Sequence, residues 1–284
     1  MSWLMTEALE EFLAEAGEFL RADRARNTVL LTVAETLRTW PERYREAGQA
    51  APVFGWWSAP GAGVSAAFMQ TPPFPALLTA MNDEAAGALA LELAGAGREI
   101  PGVNAAEKAG QAFAAAWLDR TGLPASVHGR QRLFRLGDLI WPSPMPEGEA
   151  RVATAADRGL LIAWFGAFAA EAGAMGESDQ GAAVDERLSY RGLTIWESGR
   201  IPVSLAGVTR TVAGMVRVGP VYTPRELRGR GYAGAATATV SQAARDANTA
   251  EVLLFTDLAN PTSNALYQRL GYRPVEDRVL LTFG

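Results

Sequence analysis

A chain of 284 residues is long enough for two domains of ordinary size, each with its own core. Its composition, 49% apolar and 20% charged with a formal net charge of −5, is that of a soluble globular protein, and it argues against nucleic acid as a general partner because tracking phosphates needs net positive charge. The absence of cysteine excludes disulfides, thiolate metal sites and a cysteine nucleophile; with no apolar run near the ~20 residues of a membrane span and an acidic start unlike a signal peptide, no membrane partner and a cytoplasmic location are expected.

In chain order, residues 4–20 place Leu9, Phe12, Leu13, Ala16 and Leu20 at helical spacing, with Glu7, Glu10, Glu11, Glu15 and Glu18 opposite them. That is an amphipathic helix. A second helix is expected over 27–40, stopped at Pro41. The rhythm then changes, and 53–58, 63–69 and 75–79 read as strands between Gly/Pro turns. Helices are expected over 83–94 and 104–121, and strand over 126–140. Trp56 and Trp57 adjoin on a strand and face opposite ways, one into the core and the other into core or a pocket wall. His128, the only histidine, has no partner in the sequence for a base or metal role, and no metal site is expected. Pro142, Pro144 and Pro146 forbid helix and ladder alike, so 142–148 reads as a semi-rigid linker between domains at 1–141 and 149–284.

The second half opens on a strand over 149–153, after which Thr154 caps a helix whose apolar face is Leu160, Leu161, Trp164, Phe165 and Phe168. Glu171, Glu177, Asp179, Asp185 and Glu186 follow on loop and short-helix positions, as a solvated face or an acidic pocket lining. A hairpin is expected from 193–197 and 201–207 around Ser198, Gly199 and Arg200, with Glu197 ending its first strand. The central strand, 214–223, contains Gly219 and Pro220, and a proline inside a ladder suggests a bulge.

From Val221, Tyr222 and Thr223 the chain runs into a loop with Gly229 and Gly231, then into a small-residue helix over 233–245. A helix opening on such a loop aims several unpaired N–H groups and the positive end of its dipole at one spot, which is an anion site. Arg225, Arg228 and Arg230 add positive charge at its rim. Gly229, Gly231 and Gly234 also match the dinucleotide pattern G-x-G-x-x-G, and the next strand, 251–257, ends on Asp257. Against a dinucleotide stand the six residues between strand and glycines, the flanking arginines, and the mere fifty residues left after Gly234. Further on, Asn260, Pro261 and Gly271 punctuate a helix as N-cap, N1 and C′ residues, with Asn264 and Tyr267 on one face and Leu266 and Leu270 turned inward. The strand over 272–283 closes the sheet.

Arg228, Gly231 and Ala233, with Gly229, Arg230 and Tyr232 between them, fit the R/Q-x-x-G-x-G/A signature, and the stretch 260–272 resembles the second signature of the GCN5-related N-acetyltransferase (GNAT) superfamily. The resemblance covers about residues 149–284. It implies an α/β fold with a mixed sheet, and acetyl-CoA bound by Val221, Tyr222, Thr223, Arg228, Gly229, Arg230, Gly231, Tyr232, Ala233, Gly234, Asn260 and Asn264. Its pantetheine arm would pair with the strand edge at Val221 and Tyr222, whose N–H would polarise the thioester carbonyl. Tyr267 resembles the family's tyrosine acid, and Glu197 is a candidate base together with the acids of 171–186. The function implied is acetyl transfer to a primary amine of a small molecule or peptide; an acyl-CoA-binding sensor or assembly module without turnover is the alternative, and homodimerisation stays open. The element order of 1–141 is also GNAT-like, but with Pro72, Pro73 and Pro75 where a glycine loop is expected, so that half reads as a degenerate GNAT-like domain unable to bind the cofactor, or as another α+β domain.

Overall fold

The computed structural model describes residues 1–40, 50–59, 61–173 and 179–284. Pro41 and Glu177 lie outside the described residues. Contacts divide the chain into two units, Met1–Leu133 with Val275–Gly284, and Phe134–Pro274. The proline-bearing segment 142–148 thus belongs to the second unit.

The first half of the chain runs β1 (Ser2–Thr6), α1 (Leu9–Ala22), α2 (Thr28–Thr39), β2 (Val53–Ser58), β3 (Ala66–Gln70), β4 (Ala76–Leu78), α3 (Asp83–Gly95), β5 (Gly102–Ala106), α4 (Glu107–Thr121) and β6 (Ala125–Leu136). The second half repeats that order: β7 (Glu149–Val152), α5 (Arg158–Ala172), α6 (Gln180–Ser189), β8 (Leu193–Ser198), β9 (Ile201–Val208), β10 (Met215–Tyr222), α7 (Tyr232–Asp246), β11 (Glu251–Asp257), α8 (Pro261–Arg269) and β12 (Tyr272–Phe283). The α/β mixed-sheet class expected from the sequence is borne out. Among the described residues no helix is long and apolar enough to cross a membrane.

In the first unit the sheet runs β1-β2-β3-β4-β5, antiparallel except for the parallel pair β4/β5. The place beyond β5 is taken by the chain's last strand, with Arg278 opposite Ala106 and Thr282 opposite Gly102. The helices α3 and α4 cover one face through Leu89, Leu93, Phe113 and Trp117. On the other face Phe12 of α1 stacks on Phe54, ring centroids 5.3 Å apart. Both Trp56 and Trp57 are buried, so both are core.

Two short strands escape the sequence patterns. β1 overlaps the start of the span expected to be helix, and only Trp3 of its five residues is buried. β5 overlaps the start of the helix expected from Asn104, and at Gly102 a Cβ would lie 2.0 Å from Leu281 O.

The second unit's sheet runs β7-β8-β9-β10-β11, with the end of β6 beside β11, where Arg135 approaches Glu251 at 3.9 Å. α7 lies close on one face because its inward residues are Gly234, Ala235, Ala236, Ala238 and Ser241. Ser241 Oγ bonds to the buried Tyr272 hydroxyl at 2.7 Å. On the opposite face α5 packs Leu161, Trp164 and Phe165 against Leu193, Ile195 and Leu205.

In the first unit Arg278 is 3% exposed. Its guanidinium donates to Leu78 O, Asn104 O, Asn104 Oδ1 and Glu276 Oε2, at 2.8–3.0 Å. Burial pulls its pKa below the usual guanidinium value, and Glu276 opposes the shift. Removing one member of such a buried set strands the others, at a cost of about 3 kcal/mol. Arg278→Ala is therefore expected to lower the urea midpoint markedly. Arg158→Ala, which breaks an exposed pair with Asp185, should leave it nearly unchanged.

Candidate functional site

The candidate site begins where two parallel strands part. β10 pairs with β11 only from Met215 opposite Glu251 to Val218 opposite Leu254, although both strands continue. Over the next three residues the pairing of β10 with β9 slips, from Val218 opposite Val208 to Val221 opposite Ala206. Gly219 and Pro220 fill the slip, as the sequence suggested, and Pro220 has no N–H to give the ladder. A Cβ on Gly207 would lie 2.9 Å from Gly219 O, so the backbones meet there without side chains between them. The bulge bends β10 away from β11, leaving Val221 and Tyr222 on one side of a wedge and Phe255, Thr256 and Asp257 on the other.

The loop beyond is anchored at its start. Ser204 Oγ donates to Tyr222 O at 3.0 Å and lies 2.8 Å from the buried Thr223 hydroxyl. A tight turn over Arg225–Leu227 follows. Gly229 and Gly231 then take left-handed backbone angles, φ 77° and 85°, which a side chain would strain. The first hydrogen bond of α7 runs from Ala235 N to Gly231 O. The six N–H groups of 229–234 have no hydrogen-bond partner among the described residues, and residues 228–231 are exposed. Successive free amides at the positive end of a helix form an anion cradle.

Arginine charge is held at the rim by one carboxylate. Glu171, in the last turn of α5, accepts from Arg228 Nη2 at 2.7 Å and from Arg225 Nε at 3.2 Å. Arg228, then Arg225, hold its carboxyl below the usual range. Arg228 Nε also bonds to Thr223 O at 2.9 Å, folding the side chain back along the loop, and Arg230 reaches Glu226 O.

Across the wedge, α8 is stitched to the open end of β11. Asn260 Oδ1 caps the helix by accepting from Ser263 N at 3.0 Å, with Pro261 at N1. Asn264 Nδ2 donates to Asp257 O and to Asn260 O, both at 2.8 Å, while Asn264 Oδ1 is buried without a partner. One turn on, Tyr267 is buried edge-on against Tyr272, ring centroids 6.0 Å apart. Its hydroxyl makes no hydrogen bond among the described residues. Burial pushes its pKa up to about 12, so at neutral pH it is a proton donor.

The remaining acids are engaged elsewhere. Glu197 Oε1 accepts from Arg151 Nε at 2.7 Å, and the same guanidinium holds Asp157, whose carboxyl it lowers to about 2. Asp179 caps α6 through Ala182 N, and Asp185 pairs with Arg158. The structure therefore gathers Tyr222, Thr223, the 228–234 loop, Asn264 and Tyr267 around β10, β11 and their loops, while the Glu197 carboxylate is committed to the β7–β8 pair. His128 is exposed on β6.

In the first unit the corresponding place is built differently from the sequence expectation. Residues 71–75, with their prolines, form the turn between β3 and β4, closed by Phe74 N to Thr71 O. The connection from β4 to α3 is only residues 79–82, where Asn82 Oδ1 already accepts from Ala85 N at 2.8 Å. At the end of the paired residues of β4 and β5, Arg278 bridges Leu78 O and Asn104 O. The connection is shorter than that of the second unit, and its helix start is already capped. No sequence motif announced Arg278, because its partners lie about 170 to 200 residues away.

Residues 204–281 match the family described as FR47-like protein. No curated protein matches the chain. Among solved structures the chain is similar to a GNAT-family acetyltransferase of Colwellia psychrerythraea (TM-score 0.59, 10% identity, covering 100% of this chain and 99% of that one). It is also similar to a GCN5-related N-acetyltransferase of Sphaerobacter thermophilus (TM-score 0.62, 17% identity, 98% and 94%). A tandem GNAT protein from the clavulanic acid biosynthesis pathway matches across 100% of this chain and 98% of its own, with TM-score 0.52 and 12% identity. At these identities the likeness is one of fold, and it spans both halves.

The raised Tyr267 pKa has a measurable consequence. The phenol of an unfolded chain ionises near pH ~10. The stability that Tyr267 contributes by staying neutral is complete below that pH and is lost as pH rises through about 12. Urea midpoints measured from pH 9 to 11 should fall more steeply for the wild type than for Tyr267→Phe.

Proposed function

We propose that this chain, a tandem GNAT fold, is an acetyl-CoA-dependent N-acetyltransferase whose second unit binds the donor and carries out transfer to a primary amine. The observation that carries this is the run of unpaired amides at 229–234, opening on the exposed residues 229–231 beyond the point where β10 and β11 stop pairing. Those amides suit a diphosphate, with Arg228 and Arg230 close enough to add charge. The backbone of Val221 and Tyr222 suits the amide-bearing pantetheine arm, and the bare Asn264 Oδ1 faces no protein donor and can accept one of its N–H groups. Thr223 braces this edge through Ser204, Tyr232 and Ala233 supply amides, and Asn260 acts through its cap on α8.

Bound acetyl-CoA would supply an activated acyl thioester. What the chain adds is orientation, a backbone N–H near Val221 or Tyr222 directed at the carbonyl oxygen, and the Tyr267 hydroxyl as proton source. Tyr267 suits that role because it stays protonated across the physiological range and has no competing bond. Glu197, a base candidate from the sequence, has one carboxylate oxygen held by Arg151 of β7. The first unit, its strand parting closed by Arg278, takes no donor.

Titration calorimetry of the full chain with CoA is expected to give one site per chain; two sites, or none, would overturn this assignment of the units. With a panel of small-molecule and peptide amines plus acetyl-CoA, thiol release should depend on the amine, and Tyr267→Phe should lower kcat ~10²-fold with little change in CoA affinity. Binding of acetyl-CoA without turnover for any amine would favour the sensor alternative.

A further inference from the structure

Residues 137–148, of which the sequence marked 142–148 as a linker, pack against the cradle within the second unit. One end is tied by Gly137 N to Gly271 O and Ile140 N to Leu270 O, both 3.0 Å. The other is tied by Trp196 Nε1 donating to Glu147 O at 3.1 Å. Between the ties two prolines touch the cradle itself. A Cβ on Gly231 would lie 3.6 Å from Pro146, and one on Gly234 would lie 3.5 Å from Pro142. Trp141, next to Pro142 in the chain, is 43% exposed, and Ile140 and Met145 of the same segment are 51% and 44% exposed. The Trp141 indole N–H makes no hydrogen bond among the described residues.

An indole is among the side chains that gain most from burial, and a cluster of exposed large apolar groups beside a polar site commonly marks a binding surface. This one is held by proline and by ties at both ends, so little conformational freedom remains to be lost on binding. We propose that Trp141 is a stacking platform for the adenine ring of coenzyme A, the nucleotide end that extends from a diphosphate held at 229–234. This rests on the cradle being the diphosphate site. It adds that the strap, and Trp141 above all, separates a nucleotide-bearing donor from a carrier without one. A planar base is the fitting occupant because an exposed indole offers it a flat apolar face, and Trp141 directly precedes Pro142, which packs against Gly234 in the first turn of the helix whose amides would hold the phosphates.

The test compares CoA with 4′-phosphopantetheine, which lacks the adenosine, in calorimetric titrations of the full chain as wild type, Trp141→Ala and Trp141→Phe. Alanine should weaken CoA binding ~5- to 100-fold, the range for loss of one base–aromatic stack, and leave 4′-phosphopantetheine within ~2-fold. Phenylalanine should restore most of the loss. Unchanged thermal unfolding of the variants will show that the strap is intact. Equal effects on both ligands, or none on CoA, overturn the platform while leaving the cradle in place. Failure of the wild type to bind either ligand removes the cradle reading itself. If light scattering shows that Trp141→Ala turns a dimer into a monomer with the CoA to 4′-phosphopantetheine ratio unchanged, the patch is an interface between copies and the proposal fails.

Discussion

The parting of β10 from β11 after Val218 and Leu254 is the constraint from which the rest of the site follows. A parallel pair normally satisfies its inner N–H and C=O groups along its whole length, and groups left unpaired in the interior are costly. Here the pairing stops early because Pro220 cannot donate and the bulge turns the strand. The deficit is tolerable only at an open edge, where solvent or a ligand with amides of its own completes it. The cradle and the Asn264 bridge stand around that edge: one ends in free donors, the other in a free acceptor.

The two halves of the chain resolve the same topological problem in opposite ways. In the first unit the strand-to-helix connection is four residues, its helix is capped by Asn82, and the Leu78 and Asn104 carbonyls at the end of the β4/β5 pairing are taken by Arg278. In the second unit the connection runs from Thr223 to Gly231, and the amides from Gly229 onward stay unpaired up to the start of the α7 ladder. A buried guanidinium with four hydrogen bonds occupies the first position, while the second keeps open amides. The C-terminal strand thereby contributes Tyr272 to the second unit's core and Arg278 to the first unit's closure.

Electrostatics at the rim is a matter of geometry rather than of net charge. A chain with a formal charge of −5 gathers Arg225, Arg228 and Arg230 within six residues, and Glu171 offsets only part of that. Because these pairs are exposed, each is worth little to stability, and they can be exchanged for a stronger anion at small cost. The buried phenol of Tyr267 shows the reverse case, where desolvation alone sets the protonation state.

The amino-acid sequence by itself determined whatever depends on neighbours along the chain. The glycine loop opening on a helix, the bulge at Gly219 and Pro220, the Asn260 cap and the hairpin from β8 to β9 are all local, since a φ preference, a missing N–H or a side-chain oxygen acts over a few residues. The mixed α/β class followed from the order of those elements. Tertiary structure alone decided which atoms, far apart in the chain, were brought together. Short strands such as β1 and β5 became strands because their partners supplied hydrogen bonds that their own patterns did not advertise. Glu197 was drawn to Arg151, Arg278 was carried to Leu78, and a proline stretch that reads as a spacer was laid against Gly231 and Gly234. Propensity and spacing carry no information about such contacts, because they are fixed only when the sheet sets which distant strands lie side by side.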